Sequence, residues 1–221
     1  MSNYSKIPEK QAIFLIQALN IFPDSKGLDI GCDMGTQLKL IQKVSPDTIG
    51  IDKIADKYNL QNFIQKDIFI DDLNLSDLDF AYCLSPYFGE DWWNIDSLFE
   101  KIRNLLKNGG LFALDLFNWN TVGIGRKWQT WDEKKDRYLL TDMERSIDKV
   151  VGERTILLKN MEKMHKSLVW RVFQEQKVIE LAQKFGFVIR RTYSDFDINS
   201  DIGSYIPDGK VKRLIIILEK N

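Results

Sequence analysis

The segment from residue 27 to residue 42 constrains the fold most, because it reads as a strand that turns through two glycines directly into a helix. Leu28 to Ile30 form the end of the predicted strand. Gly31 and Gly35 let the backbone pass close to a ligand at points where a Cβ would clash. The start of the following helix directs free N–H groups at the same turn. The segment therefore predicts a site for a nucleotide-like ligand.

A second short apolar strand, from Thr48 to Asp52, ends in a carboxylate. In a doubly wound sheet, an acidic side chain at this position binds ribose hydroxyls. The dinucleotide pattern G-x-G-x-x-G is absent, because Gly31 is followed by three other residue types before Gly35. This spacing disfavours a nicotinamide-dependent oxidoreductase, an alternative that direct binding of NAD would test.

The glycine turn resembles motif I of class I S-adenosylmethionine-dependent methyltransferases, usually written hydrophobic-Asp-hydrophobic-Gly-Cys-Gly-x-Gly. Asp29, Gly31, Cys32 and Gly35 match this motif, whereas Asp33 stands where the family usually has glycine. In the family, the methionine end of the cofactor lies against this backbone. The resemblance therefore implies that the Asp33 side chain turns away from the cofactor or is directed at its ammonium group.

The resemblance continues along nearly the whole chain. Asp52 matches the ribose-binding acid, and a third strand from Asn62 to Ile68 contains Asp67, whose family counterpart usually contacts the adenine amine. The resemblance thus implies S-adenosyl-L-methionine as cofactor. The residues expected to bind it are Asp29, Gly31, Cys32, Asp33, Gly35, Asp52, Lys53, Lys66, Asp67, Ile68, Leu84 and Ser85.

A loop from Ser85 to Gly89 follows the predicted fourth strand, Leu78 to Leu84, and is similar to the "gly-tyr-phe" loop of small-molecule N-methyltransferases. We predict that Tyr87 is the catalytic residue that orients the acceptor nitrogen. It is not expected to remove a proton, because a Tyr with an ordinary pKa of about 10 is a poor base near neutrality. A packing role for Tyr87 is the alternative. The loop has one proline where amino-methyltransferases of nucleobases or protein glutamine have two, so such substrates remain a second alternative.

Hydrophobic periodicity extends the α/β pattern to both ends of the chain. Strands alternate with helices, which predicts a seven-stranded, mostly parallel, doubly wound sheet in a single domain spanning residues 1–221. Further predicted elements are the helices Pro8 to Phe22, Asp91 to Leu106 and Gln174 to Phe185, a turn at Gly109 to Gly110, and the strands Leu111 to Leu116, Phe187 to Tyr193 and Leu214 to Leu218.

Residues 117–173 form an insertion that the minimal fold does not need, and we predict an antiparallel meander there. In the family, such an insertion covers the substrate or builds a dimer interface, so a homodimer through this surface is an expectation. Four tryptophans in this region favour packing over a substrate wall, because aromatic rings are first of all bulky apolar groups. They are Trp119, Trp128, Trp131 and Trp170. The predicted strands are Tyr138 to Ile147, Arg154 to Met164 and Leu168 to Phe173, with turns at Asp148 to Glu153 and at Lys166-Ser167.

Composition limits the partners and the compartment. The chain has 31 Lys plus Arg against 32 Asp plus Glu, so its charge points to neither nucleic acid nor membrane. The two cysteines, Cys32 and Cys83, exclude a disulfide scaffold, and with no apolar leader they indicate a cytoplasmic protein. We expect no metal, because Asp71 and Asp72 have no His or Cys partner at ligand spacing. His165, the single histidine, is predicted to be a surface residue at a strand end.

These features together predict methyl transfer from S-adenosylmethionine to a small molecule, with nitrogen as the acceptor atom. A non-catalytic module that keeps the fold and binds a cofactor or a partner is the alternative from another class. Asp33 and the meander suggest that alternative, because the first departs from the motif and the second offers an interaction surface.

Overall fold

The computed structural model describes residues 7–54, 58–84, 95–172, 175–200 and 213–221, and its strands form two sheets. The central sheet contains the strands β1 (Gly27–Ile30), β2 (Ile49–Asp52), β3 (Phe63–Gln65), β4 (Leu78–Cys83), β5 (Leu106–Phe117), β10 (Phe187–Ser194) and β11 (Arg213–Lys220). The described helices are α1 (Ile7–Ala18), α2 (Thr36–Ile41), α3 (Ile95–Leu105) and α4 (Glu175–Lys184). None of these helices is both long enough and apolar enough to cross a bilayer.

The strand order of the central sheet is β3-β2-β1-β4-β5-β11-β10. Neighbouring strands are parallel from β3 to β5, while β11 runs antiparallel to both β5 and β10. The prediction of a seven-stranded, mostly parallel, doubly wound sheet is therefore confirmed.

Helices cover both faces of this sheet. On one face α3 and α4 pack through apolar residues at helical spacing, among them Leu98, Phe99 and Ile102, all fully buried. On the other face α1 contributes Phe14 and Leu15. Each such buried side chain contributes about 1.5–3 kcal/mol to folding, so the two apolar layers fix how the helices sit on the sheet.

The end of α3 differs from its prediction. The helix ends at Leu105, and Leu106 already pairs with Leu78 of β4, so the predicted turn at Gly109 to Gly110 lies within β5. A Cβ at Gly110 would lie 2.9 Å from the carbonyl oxygen of Lys107 and 3.0 Å from that of Leu78. The glycine is thus needed for close packing of the chain against β4, which the sequence pattern did not distinguish from a helix stop.

The second sheet has four antiparallel strands where the sequence predicted three. They are β6 (Lys127–Glu133), β7 (Arg137–Arg145), β8 (Lys149–Leu158) and β9 (Lys163–Arg171), in that spatial order. The first predicted turn overlaps the observed one only at Asp148, and the second predicted turn was wrong. Gly152 lies inside β8, where a Cβ would lie 3.0 Å from the Trp170 ring, and Ser167 lies inside β9, where its hydroxyl donates to Glu153 at 2.9 Å. Gly152 therefore makes room for the Trp170 ring, and Lys166-Ser167 belongs to a strand with an exposed face.

The tryptophans of the insertion pack mainly against one another. Trp119 and Trp170 are buried, with ring centroids 5.7 Å apart, and Trp128 packs beside them. Trp131 differs, because it is 64% exposed and stacks on Tyr138. The packing interpretation thus holds for three of the four rings.

Candidate functional site

The glycine turn lies at the carboxyl edge of the central sheet. The Gly31 and Cys32 N–H groups both donate to the carbonyl oxygen of Ile51, at 2.8 and 3.2 Å, and so hold the turn against β2. β1 pairs with β2 on one side and with β4 on the other, which is the point where the strand order reverses. Ligands of open α/β sheets bind in the crevice at such a point.

The two glycines of the turn are needed for different reasons. Gly31 has a φ of +70°, and a Cβ there would meet nothing within 4 Å, because this position opens onto a cavity. Gly35 has a φ of +67°, and a Cβ there would lie 2.4 Å from Cδ2 of Leu60. Close approach of a ligand therefore fits Gly31, whereas Gly35 serves packing and does not line the cavity.

The carboxylate of Asp52 is fixed at the end of β2 by backbone donors. Its Oδ2 accepts from the Asp33 N–H at 3.1 Å, and its Oδ1 accepts from the Ile54 N–H at 2.9 Å. Asp33 itself has a φ of +45° and an exposed side chain. Asp33, which departs from the family motif, thus connects the glycine turn to Asp52, the predicted ribose-binding acid, through its backbone N–H.

The predicted third strand, Asn62 to Ile68, is shorter in the structure, because β3 ends at Gln65 and the chain then turns beside the cavity. Oδ1 of Asp67 accepts from the Phe69 N–H at 2.9 Å, and the Asp67 N–H donates to Oδ2 of Asp71 at 2.8 Å. Lys66 lines the cavity too, but its ammonium group donates to the carbonyl oxygen of Asp72. The carboxylate of Asp67 is therefore held in place by its own backbone.

These segments enclose a cavity of about 610 Å³. Most of the predicted cofactor residues line it, namely Gly31, Cys32, Asp33, Asp52, Lys53, Lys66, Asp67, Ile68 and Leu84. Sequence reasoning missed other residues of the wall: Pro8, Ile30, Met34, Thr36, Gln37, Ile51, Ile54 and Phe69. Ile54 and Phe69 each follow a site carboxylate by two residues, which was an available signal, whereas the sequence gave no sign that Pro8 would reach the site.

Asp29 does not line the cavity, although it is two residues from Gly31. Its side chain is buried on β1, and this burial raises the pKa of Asp29 to about 7. The neighbouring Tyr82 hydroxyl opposes the rise in pKa, and the charge of Asp52 adds to it. Any effect of Asp29 on a ligand in the cavity is therefore indirect and passes through the residues that line the wall.

The remaining candidate residues divide by position. Ser85 and Tyr87 lie outside the described residues. Burial raises the pKa of the Cys32 thiol well above its ordinary value, so Cys32 is a neutral wall residue. His165 lies inside β9 rather than at its end, and it is exposed, with Nδ1 3.3 Å from Oγ1 of Thr155. In the described ranges, no three His, Cys, Asp or Glu side chains come close enough to hold a metal ion.

Comparison with known proteins finds similar solved structures but no match at the level of sequence. No protein-family model and no curated protein sequence matches the chain. Among solved structures, an S-adenosylmethionine-dependent methyltransferase from Clostridium acetobutylicum is 12% identical, with 100% of this chain and 93% of that chain covered and a TM-score of 0.78. The CcbJ methyltransferase from Streptomyces caelestis is 13% identical over 96% and 90% of the two chains, with a TM-score of 0.74.

The sugar N-methyltransferase KedS8 from Streptoalloteichus is a third similar structure. It is 15% identical, with 100% of this chain and 89% of that chain covered and a TM-score of 0.66. Coverage of this kind includes the second sheet as well as the central one. The described part of the chain therefore has the Rossmann-like fold of S-adenosylmethionine-dependent methyltransferases, with the antiparallel second sheet added to it.

Proposed function

We propose that this protein is a class I methyltransferase that transfers a methyl group from S-adenosylmethionine to a small molecule, at nitrogen. The observation that carries the proposal is the Asp52 carboxylate, which faces the cavity at the end of β2 and is tied to the glycine turn by the Asp33 N–H. This arrangement brings Asp52, the proposed ribose-binding acid, and Gly31, which a ligand can approach closely, to one wall of the cavity. Nucleosides bind to open α/β sheets at such a point, where the strand order reverses.

The residues of the cavity fit the cofactor. A volume of about 610 Å³ is within the range of about 300–1,000 Å³ typical of small-molecule sites. Met34 and Ile54 line it and are 49% and 58% exposed, so they offer apolar surface to a purine ring. Asp52 is positioned for the ribose hydroxyls and Asp67 for the adenine amine, while Gly31 leaves room for the methionine end.

The proposed reaction needs little acid or base chemistry from the protein. When bound, S-adenosylmethionine supplies a methyl group that is already activated by its sulfonium. The protein's contribution is orientation by Asp52 and Asp67, together with an apolar wall that keeps water away from the reacting atoms. Ile30, Ile51 and Leu84 supply part of this wall.

A nitrogen acceptor is supported by what similar structures are described as doing. KedS8 is a sugar N-methyltransferase, and the 1,6-didemethyltoxoflavin-N1-methyltransferase from Burkholderia thailandensis was solved with its acceptor and S-adenosylhomocysteine bound. The latter is 12% identical, with a TM-score of 0.59. A screen of amines with methyl-labelled cofactor tests this part of the proposal, and labelling of oxygen acceptors alone would contradict it.

We expect the Asp52→Ala variant to bind S-adenosylhomocysteine roughly 10- to 150-fold more weakly than the wild type, measured by isothermal titration calorimetry. The reason is the loss of charge-assisted hydrogen bonds, which are worth about 1.5–3 kcal/mol. Asp52→Asn separates the effect of charge on affinity from that of geometry, because it removes the negative charge but keeps an oxygen that accepts from the Asp33 N–H.

Asp47→Ala is the matched control, since Asp47 is an exposed carboxylate before the other end of β2 and does not line the cavity. It should leave the affinity unchanged. Equal affinities of Asp52→Ala and the wild type, with both folded, would remove Asp52 from the site. Binding of NAD in place of S-adenosylhomocysteine would replace the proposed function with an oxidoreductase.

A further inference from the structure

The strand β6 is an edge of the second sheet within the part of the chain that the structure describes. It pairs with β7 on one side, and among the described strands nothing pairs with it on the other. None of its seven residues is buried. An exposed edge of this kind presents N–H and C=O groups that another chain can pair with.

Hydrogen bonds at the two ends of β6 show which of its backbone groups face outward. At the start, the Arg145 N–H donates to the carbonyl oxygen of Arg126 at 3.0 Å. At the end, the Lys134 N–H donates to the carbonyl oxygen of Arg137 at 2.8 Å. The even-numbered positions of this strand therefore bond to β7, because successive residues of an antiparallel strand alternate between its two sides. The residues whose backbone groups point away from β7 are the odd-numbered ones, Lys127, Gln129, Trp131 and Glu133.

Two copies of β6 fit together about a two-fold axis in a register that pairs these groups. With Thr130 at the axis, Lys127 of one protomer lies opposite Glu133 of its partner. In the same register Gln129 lies opposite Trp131. All four residues have outward backbone groups, so each pair exchanges two hydrogen bonds. Because the axis is two-fold, the Lys–Glu pair occurs at both ends of the joined strands.

The charges on the two edges of the second sheet favour β6 over β9 for this pairing. Unlike charges directly opposite each other stabilise a strand pair, and like charges destabilise it. Lys127 already lies 3.3 Å from Glu144 of β7, and in the joined sheet it would lie between two acidic side chains. The sequence of β9 contains Lys163, Lys166 and Arg171 but no acidic residue, so two copies of β9 would bring like charges together.

An exposed aromatic pair lies beside the same axis. Trp131 is 64% exposed, and its ring stacks on Tyr138 with centroids 5.4 Å apart. In this register the two Trp131 side chains are diagonal neighbours on one face of the joined sheet, about 7–8 Å apart and within reach of each other. The pairing would therefore cover an aromatic centre and leave the Lys–Glu pairs at its rim, as protein interfaces do.

We propose that this protein forms a homodimer in which the two β6 strands pair antiparallel about a two-fold axis, so that the two second sheets become one continuous sheet. The occupant of the β6 edge is thus a second copy of this chain. Of the two roles expected for the insertion, a substrate cover and a dimer surface, this arrangement favours the second. The dimer would form whether or not the protein transfers methyl groups.

Sedimentation equilibrium of charge variants tests the dimer and its register. The wild type should sediment at twice the monomer mass. Lys127→Glu and Glu133→Lys each bring like charges together at both ends, so each should weaken the dimer roughly tenfold or more. An equimolar mixture of the two variants should dimerise about as well as the wild type, because unlike charges then meet at both ends again.

Lys163→Glu is the matched control, since Lys163 is an exposed charge on the other edge of the same sheet, and it should leave the dimer unchanged. Gln129→Pro should separate the copies while circular dichroism still shows a folded chain, because proline removes an outward N–H that β7 does not use. A monomeric wild type, or a mixture that stays monomeric, would overturn the proposal. Weakening by Lys163→Glu, or assemblies larger than a dimer, would overturn it in favour of pairing between β6 and β9 of the next copy.

Discussion

Replacing Arg213 with alanine is expected to lower the free energy of unfolding by about 3–5 kcal/mol, because it leaves a buried carboxylate without its partner. Asp115 is fully buried in β5, and its Oδ1 accepts from Nε of Arg213 at 2.8 Å while its Oδ2 accepts from Nη2. The guanidinium group also lies over the Phe117 ring, 4.6 Å from its centroid. Urea unfolding of the wild type and the variant measures the loss.

The loss should depend on pH in a defined direction. Burial raises the pKa of Asp115 to about 6, even though Arg213 opposes the rise. Without the guanidinium the carboxyl group takes up a proton more readily, so the variant should lose less stability at pH 5 than at pH 8. A double variant, Asp115→Leu with Arg213→Leu, should recover most of the loss, because it removes both buried charges. If the double variant were as unstable as the single one, packing rather than charge would be the cause.

The Asp115–Arg213 pair also marks a limit of sequence reasoning about the fold. The run from Leu214 to Leu218 predicted a buried strand, and the structure places it between β5 and β10. The residue just before it is Arg213, for which the sequence indicated no buried partner. Its partner is 98 positions away in the chain, and the pair forms only because Arg213 lies opposite Phe117 in the strand register. Hydrophobic periodicity carries no information on such contacts.

The central sheet was predictable because its strands are short apolar runs and its helices have regular apolar spacing. The second sheet was predicted less well for a physical reason. Its strands are partly exposed on both faces, so polar residues such as Ser167 occur within strands and imitate turns. Gly152 imitated a turn as well, although it is required by the Trp170 ring.

The site shows the same division. The positions of Gly31 and Asp52 on the cavity wall could be predicted, because strand ends and a glycine turn fix their places along the chain. Asp29 shows the limit of this reasoning, because the motif places it beside Gly31 whereas the structure buries it on β1, outside the lining of the cavity. Ile54 and Phe69 are intermediate cases. The sequence shows that each follows a site carboxylate by two residues, but it does not show that each lines the cavity.

The second large effect is expected at Asp29, where Asp29→Asn should stabilise the free protein at high pH. Burial raises the pKa of Asp29 to about 7 in the folded protein, against about 4 in the unfolded chain. The folded state therefore keeps a proton that the unfolded state has lost. The contribution of Asp29 to stability is complete below about pH 4 and falls as the pH rises through about 7. At about 1.4 kcal/mol for each unit of pKa, the cost reaches about 4 kcal/mol by pH 8.

Because Asn cannot ionise, the variant should match the wild type near pH 4 and exceed its stability by up to about 4 kcal/mol at pH 8, as measured by urea unfolding. Asp79→Asn is a control of opposite sign. Partial burial favours a higher pKa for Asp79, but the hydrogen bond and charge of Lys107 lower that pKa overall. The contribution of Asp79 to stability is therefore present above about pH 4 and is lost as the pH falls. Asp79→Asn should therefore be destabilising at pH 8 and less so near pH 4.

A difference between Asp29→Asn and the wild type that stays constant from pH 5 to pH 8 would mean that Asp29 does not ionise at a cost in the free protein. With the expected pH dependence, its ionisation weakens the free protein from a position beneath the cavity wall, because the charge is buried on β1.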